Sequence, residues 1–339
     1  MKKGKPTSVI EIDMAHSTIS VSAPGKLMLL GEHAVVYGQP CIVTAVDKRL
    51  TVSARRTSGS QIKIDAPQVK ETRFVDRAVG AFFLKYKVTS KNQGLSLSVH
   101  SDFTHQVGFG SSSAVSVATL KALSILYDIP VTQKDIFNLA YQVTIDIQGV
   151  GSGFDIAAAT YGGTVYFRKG GSEISQLNTQ LPIVVGYTGT KADTPILVRQ
   201  VQEKYLKAKR RFNQIFKKIG SLVNQGKNAL ENKDWQTLGR LMDQNQDYLR
   251  QLGVSSPKLN SLISAAKAAG AWGAKLSGAG GGDCMIALVS QVNRQAVERA
   301  LKVAGGEIIT VNTHATGVRV EFSADLFKSK SSHTFALAA

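Results

Sequence analysis

A chain of 339 residues with 43% apolar and 19% charged residues has the composition of a folded globular protein, long enough for one large or two medium domains. No apolar run reaches the roughly 18 residues of a membrane span, because Lys121 breaks the best candidate, and two cysteines in apolar stretches, Cys41 and Cys284, exclude a disulfide framework. The formal net charge of +17 leaves nucleic acid, an anionic surface or small anionic substrates open as partners.

Residues 1–16 are basic but lack an apolar h-region, so they read as a loose extension and not as a secretory signal. The free cysteines place the chain in a reducing cytoplasm. "STISVSA", "IVTAVDKRLTVSA" and "GLSLSVHSDF" predict strands through β-branched enrichment or period-two alternation. Helices are predicted over residues 73–86, after Ser112, and over residues 134–144. From Pro182, "PIVVGYTG" reads as a buried strand, and a mostly helical region then runs to about Gly270. Its breaks are expected at "NQGKN" and "LGVSSPK", where Ser256 and Pro257 suit an N-cap and first turn and Gly270 a helix stop. Strands return in "CMIALVS", "EIITVNTH" and "GVRVEFS". The pattern is an α+β protein of two lobes, residues 17–180 and 181–325, with a tail over 326–339.

The densest basic segment, "EKYLKAKRRFNQIFKKIG", carries Val201, Tyr205, Ala208, Phe212, Ile215, Ile219 and Leu222 at spacings of three or four. It predicts an amphipathic helix whose lysines and arginines form a solvated outer face. With no zinc ligands, RNP aromatics or GXXG clamp in the chain, nucleic acid is not the expected partner.

Three glycine-rich stations carry the chemistry. "VGFGSSSAVSVATL" sets Gly108 and Gly110 before three serines and a buried helix; this suits either a capped turn or a loop that delivers an anion to a helix N-terminus. "KLSGAGGGDCMIAL" places four glycines in five positions before a strand, which favours close backbone approach to a ligand over stability. "QGVGSGFDIAAATYGG" places Asp155 between a glycine turn and a run of small residues, either as a helix cap or as a working carboxylate. Upstream, "SVSAPGKLMLLGEHAVVYG" puts Lys26 after a Pro-Gly turn among apolar residues, where its ammonium must reach a partner or snorkel. No Walker A loop, dinucleotide fingerprint or protein-kinase motif is present.

In this order, "PGKLMLLGEH", "GFGSSSA" and "SGAGGGD" resemble the GHMP kinase superfamily over residues 20–320. The resemblance implies a two-lobe α+β fold with the active site in the cleft between the lobes. It implies ATP phosphates at Gly108, Gly110, Ser111, Ser112 and Ser113, covered by Gly278, Gly280 and Gly281. Asp155 resembles the catalytic aspartate of the family, and Lys26 the lysine that pairs with it and keeps it ionised. "GEHAVVYGQPCIVTAVD" is similar to mevalonate kinases, whereas "GSGFDIAAA" and "GGGDC" look like phosphomevalonate kinases. The longer N-terminal match favours transfer of the ATP γ-phosphate to mevalonate, on the route to isoprenoids, with Glu32, His33, Ser152, Thr194 and Ala279 around the acceptor. Phosphorylation of 5-phosphomevalonate is the alternative, for which Lys191 or Arg199 would supply added positive charge. A silent binding protein of the same fold is less expected, because Lys26, Asp155 and the loop glycines are all retained. The resemblance also implies Mg²⁺ and a homodimer. Thr144 stands eleven residues before Asp155, where mevalonate kinases usually carry a metal-binding glutamate. Ser112 and Asp146 are therefore the expected metal ligands. The lead-in to the phosphate loop departs from the family as well, with Thr104 and His105 where a proline is expected.

Overall fold

The chain is described here by a computed structural model that covers residues 18–67, 72–89, 94–104 and 107–321. The terminal extension, the tail and His105 lie outside the described residues. Strand β1 (Ile19–Leu30) is buried along almost its whole length and pairs antiparallel with the long β2 (Cys41–Thr57). Their register shifts between Pro24 and Gly25, where proline has no N–H to give the ladder. Past that bulge the Lys26 N–H donates to the Phe109 carbonyl at 3.0 Å, so the lysine is tied to the glycine loop before α2.

The first sheet runs β11-β1-β2-β4-β3, with β5 also on β2 and β6 on β5. Here β3 is Ile62–Asp65, β4 Gly94–Ser101, β5 Thr164–Arg168, β6 Glu173–Leu177 and β11 Arg319–Glu321. Against it lie α2 (Ser111–Leu126) and α4 (Phe154–Tyr161), with α3 (Gln133–Gln148) packed on α2 and α4, and α1 (Arg73–Tyr86) on α2 and α3. Helix α2 is apolar or small on nearly every side and sits at the centre of this layer, as a helix without a polar face must. The second sheet, β10-β7-β9-β8, comprises β7 (Ile183–Tyr187), β8 (Gly273–Ser277), β9 (Cys284–Leu288) and β10 (Glu307–Ile309). With it go α5 (Thr194–Lys207), α6 (Lys209–Glu231), α7 (Trp235–Leu252), α8 (Pro257–Ala268) and α9 (Arg294–Val303).

Three expectations need correction. "NQGKN" does not end a helix: α6 continues through the buried Gly226, where an added Cβ would lie 2.4 Å from Leu30 Cδ1, so glycine there admits a close helix-to-strand approach. The predicted basic helix instead breaks at Ala208, φ −143°, between α5 and α6. The break lets Tyr205 and Phe216 meet with ring centroids 6.0 Å apart, while Tyr37 stacks on Phe216 at 4.2 Å. Finally, β11 joins the first sheet although it follows the second in sequence. Buried Arg49 fastens that return, donating to the Thr316 and Gly317 carbonyls at 2.8 Å each and to Ser22 Oγ at 2.6 Å. Burial, with Arg319 nearby, lowers its guanidinium pKa to about 10.

Candidate active site

A cleft of about 270 Å³ opens where the glycine turn before α2, the N-terminus of α4, the turn after β1, the start of α5 and the loop between β8 and β9 converge. Gly110 is the N-cap of α2 with φ +79°, a conformation that suits glycine, and no side chain caps the helix. An added Cβ at Gly110 would come within 3.2 Å of Lys26 Cε and 3.7 Å of Asp155 Cβ. Glycine therefore lets the loop close on both charged residues. Ser111, Ser112 and Ser113 form the first turn of α2 and all face the cleft. An uncapped helix start with this lining suits an anion, through its dipole and first-turn N–H groups.

Asp155 is the second residue of α4, whose N-cap is Gly153; it caps nothing. Its Oδ1 lies 3.3 Å from Lys26 Nζ, yet that oxygen is buried and accepts no hydrogen bond. The Lys26 ammonium spends its hydrogen bond on the Gly108 carbonyl, at 2.9 Å, and sits 5.6 Å from the centre of the Phe154 ring. The carboxylate thus has a cation beside it and a lone pair to spare.

Glu32 and His33 turn the chain after β1. Glu32 is fully buried; Lys275 of β8 bonds its Oε1, while Oε2 has no partner. Burial raises the Glu32 pKa against the pull of Lys275, and burial lowers that of Lys275 against the pull of Glu32. His33 Nε2 donates to the Ala279 carbonyl at 2.9 Å, which fixes its tautomer, and burial lowers its pKa. Ser152 is buried in the lining, and Thr194 lies at the cleft mouth as the first residue of α5.

The structure separates four expected residues from this group. Asp146 does not line the cleft: it follows Thr144 by two residues, about 200° around α3, and its carboxylate accepts from Arg77 Nε at 2.8 Å and Gln142 at 2.7 Å. The helical turn that faces Thr144 inward faces Asp146 outward. Gly280 and Gly281 also lie outside the lining. A Cβ on Gly280 would strike the Val254 carbonyl at 2.1 Å, and Gly281 N–H donates to that carbonyl at 2.7 Å, so both glycines dock the loop onto the chain behind it. Arg199 is exposed and does not line the cleft.

The sequence reading missed Lys275 and Asp283. Lys275 could have been noticed as a lone charge in "AKLS", a strand otherwise without charge. Asp283 could have been noticed as the one acid closing a glycine run. Together they explain why a chain of charge +17 has no strongly positive cleft. The lining lysines Lys26 and Lys191 each face a carboxylate, Asp155 and Asp283, and Lys275 is matched by Glu32.

Sequence models of the GHMP kinase N-terminal domain and C-terminal region match residues 73–163 and 227–306. Mevalonate kinase from Pyrococcus abyssi is 36% identical over 329 residues, which span 89% of this chain and 98% of that one. Among solved structures, L. major mevalonate kinase in complex with R-mevalonate superposes with a TM-score of 0.76 at 29% identity, covering 89% of this chain and 97% of that one. Streptococcus pneumoniae phosphomevalonate kinase shares the fold, with a TM-score of 0.75 at 21% identity over 87% of this chain and 99% of that one. The chain belongs to the GHMP kinase family, among its mevalonate kinases.

Proposed function

We propose that this protein transfers the γ-phosphate of ATP to the primary hydroxyl of mevalonate. The observation that carries the chemistry is the unsatisfied Asp155 Oδ1 beside Lys26, next to the uncapped start of α2, where a Cβ on Gly110 would lie 3.7 Å from Asp155 Cβ. Asp155 accepts the hydroxyl proton as the acceptor oxygen bonds to the γ-phosphorus and the bond to the β-phosphate oxygen breaks, releasing ADP. The first-turn N–H groups of α2 and the Lys26 ammonium hold the charge on the transferring group. Glu32, His33, Ser152, Thr194 and Ala279 bound the space left for the acceptor. A phosphorylated acceptor would bring more negative charge to a cleft whose lysines already face carboxylates, which supports mevalonate over 5-phosphomevalonate.

No group of three or more His, Cys, Asp or Glu poised for a metal occurs among the described residues. Ser112, in the first turn of α2 and lining the cleft, would give its hydroxyl to a Mg²⁺ carried largely by nucleotide phosphates and water. Thr144 gives its hydroxyl to the Ala140 carbonyl at 3.1 Å and turns its methyl toward Gly151. When bound, the ion neutralises charge on the β- and γ-phosphates.

Both cysteines are buried and unpaired, which supports a reducing cytoplasm as the compartment. Among the described residues no helix is long and apolar enough to cross a membrane. A homodimer, and the two-lobe division near residue 180, are proposed from the family resemblance.

Asp155→Asn tests the catalytic assignment. Turnover is expected to fall by about three orders of magnitude with nucleotide affinity within about threefold of wild type. Wild-type turnover in that variant would remove Asp155 from the mechanism.

A further inference from the structure

Asp283 closes the glycine loop between β8 and β9 with a left-handed backbone, φ +55°, although the positions before it show that glycine is freely used here. A side chain retained at a conformation that disfavours it needs a reason. Its carboxylate is almost fully buried and touches three things at once. Oδ1 accepts the Ala192 N–H at 2.9 Å and lies 3.4 Å from Lys191 Nζ. Oδ2 packs against Gly108, where an added Cβ would be only 2.6 Å away. Its backbone is equally committed: the Asp283 N–H donates to Thr190 O at 2.8 Å, and its carbonyl accepts from Thr188 N–H at 3.0 Å. One residue therefore fastens the segment leading into α5 to the glycine turn before α2.

The consequence is positional. Lys26 reaches Gly108 through its carbonyl, and Lys191 is held beside the same glycine by the carboxylate that packs on it. Two lysines, one on β1 and one in the segment between β7 and α5, thus flank Gly108. Lys26 is 7% exposed and committed to Asp155 and to a carbonyl, whereas the Lys191 side chain is 43% exposed and lines the cleft. Of the two, Lys191 has the freedom to change partner.

We infer that Lys191 is a second phosphate-binding lysine, held at the cleft by Asp283 and transferred to the nucleotide polyphosphate when ATP binds. The exchange replaces one anion by another at a partly exposed ammonium, with the carboxylate left hydrogen-bonded to Ala192 N–H. Asp283 sets where the lysine waits and weakens its hold on any anion of low charge. This rests on the reading of residues 108–113 as the phosphate loop.

The test measures affinity for a non-hydrolysable ATP analogue with Mg²⁺ by calorimetry, and KM for ATP and for mevalonate, in purified full-length variants. Lys191→Met is expected to raise the analogue Kd and the KM for ATP about tenfold, leaving the KM for mevalonate within about twofold, and Lys191→Arg to restore most of the loss. Asp283→Asn, which keeps an oxygen for Ala192 N–H, is expected to tighten analogue binding about threefold and to make it more salt-sensitive. A rise confined to the KM for mevalonate would assign Lys191 to the acceptor and overturn the inference. No change in either KM would reduce the pair to a loop fastening and overturn it as well. Ser112→Asp, which sets a carboxylate among the first-turn N–H groups of α2, separates the two levels. If it leaves analogue affinity unchanged, the phosphate-loop assignment fails; if it abolishes binding while Lys191→Met binds as wild type, only the role of Lys191 fails.

Discussion

His33 combines two features that elsewhere occur apart: a positive φ of 60° and a buried imidazole, 6% exposed. Its hydrogen bond to the Ala279 carbonyl joins the turn after β1 to the glycine loop, across the cleft. Burial lowers its folded pKa below the ordinary 6.5, so the unfolded chain takes up a proton that the native one refuses. The stability this contributes is complete above pH 6.5 and is lost as pH falls from 6.5 through the lowered folded value. Chemical denaturation between about pH 5 and 7 should show that loss in the wild type and a flatter profile in His33→Asn. Equal slopes in the two proteins would contradict the buried, neutral imidazole.

The Glu32–Lys275 pair is buried at both ends, 0% exposed on each side chain, and one carboxylate oxygen stays unpartnered. Two charges removed from water are tolerable together and costly apart. Lys275→Met alone should cost about 3–5 kcal/mol in denaturant unfolding, and adding Glu32→Gln should recover a large part of it. A single variant as stable as wild type would show that Glu32 is protonated without its lysine.

Among the elements, the packing of α7 against β8 is what carries Lys275 to Glu32. Gly239 on α7 faces the Trp272 carbonyl, 2.3 Å from where a Cβ would stand, and Gly273 opens β8 against the Gly239 carbonyl at 2.0 Å from its own. Backbone meets backbone there, so no rotamer change can make room. Gly239→Ala should therefore destabilise by about 1–3 kcal/mol in thermal unfolding, although alanine is the better helix former. A neutral or stabilised variant would mean that α7 can shift off the strand. Gly226 shows the same device in α6, and it explains why "NQGKN" misleads: a glycine in a helix marks a close approach as readily as an end. Helix α2, by contrast, was legible from one short stretch, because an uncapped start after two glycines and an unbroken apolar body leave few other structures. The break at Ala208 was not legible, since the apolar period runs straight through it and only the meeting of Tyr37, Tyr205 and Phe216 decides where the chain turns.

At the scale of the whole molecule, two sheets bring together residues far apart in sequence. Lys26, Gly108 and Asp155 were readable as separate motifs, whereas the pairing of Lys191 with Asp283 and of Glu32 with Lys275 depends on how distant segments meet. The local pattern at Thr144 suggested Asp146 as its substitute; helix geometry turned that carboxylate to Arg77 instead. Net charge did not discriminate between partners. The excess of lysine and arginine sits largely on outer faces such as those of α5 and α6, while charges within the cleft are matched. Acceptor choice is where these whole-molecule features become measurable. The most direct measurement is ADP formation by the purified protein with ATP and Mg²⁺, with mevalonate and 5-phosphomevalonate supplied in parallel. Turnover with mevalonate and none above background with 5-phosphomevalonate is the predicted result. Turnover with the phosphorylated acceptor alone would contradict it and assign the cleft to a more highly charged substrate.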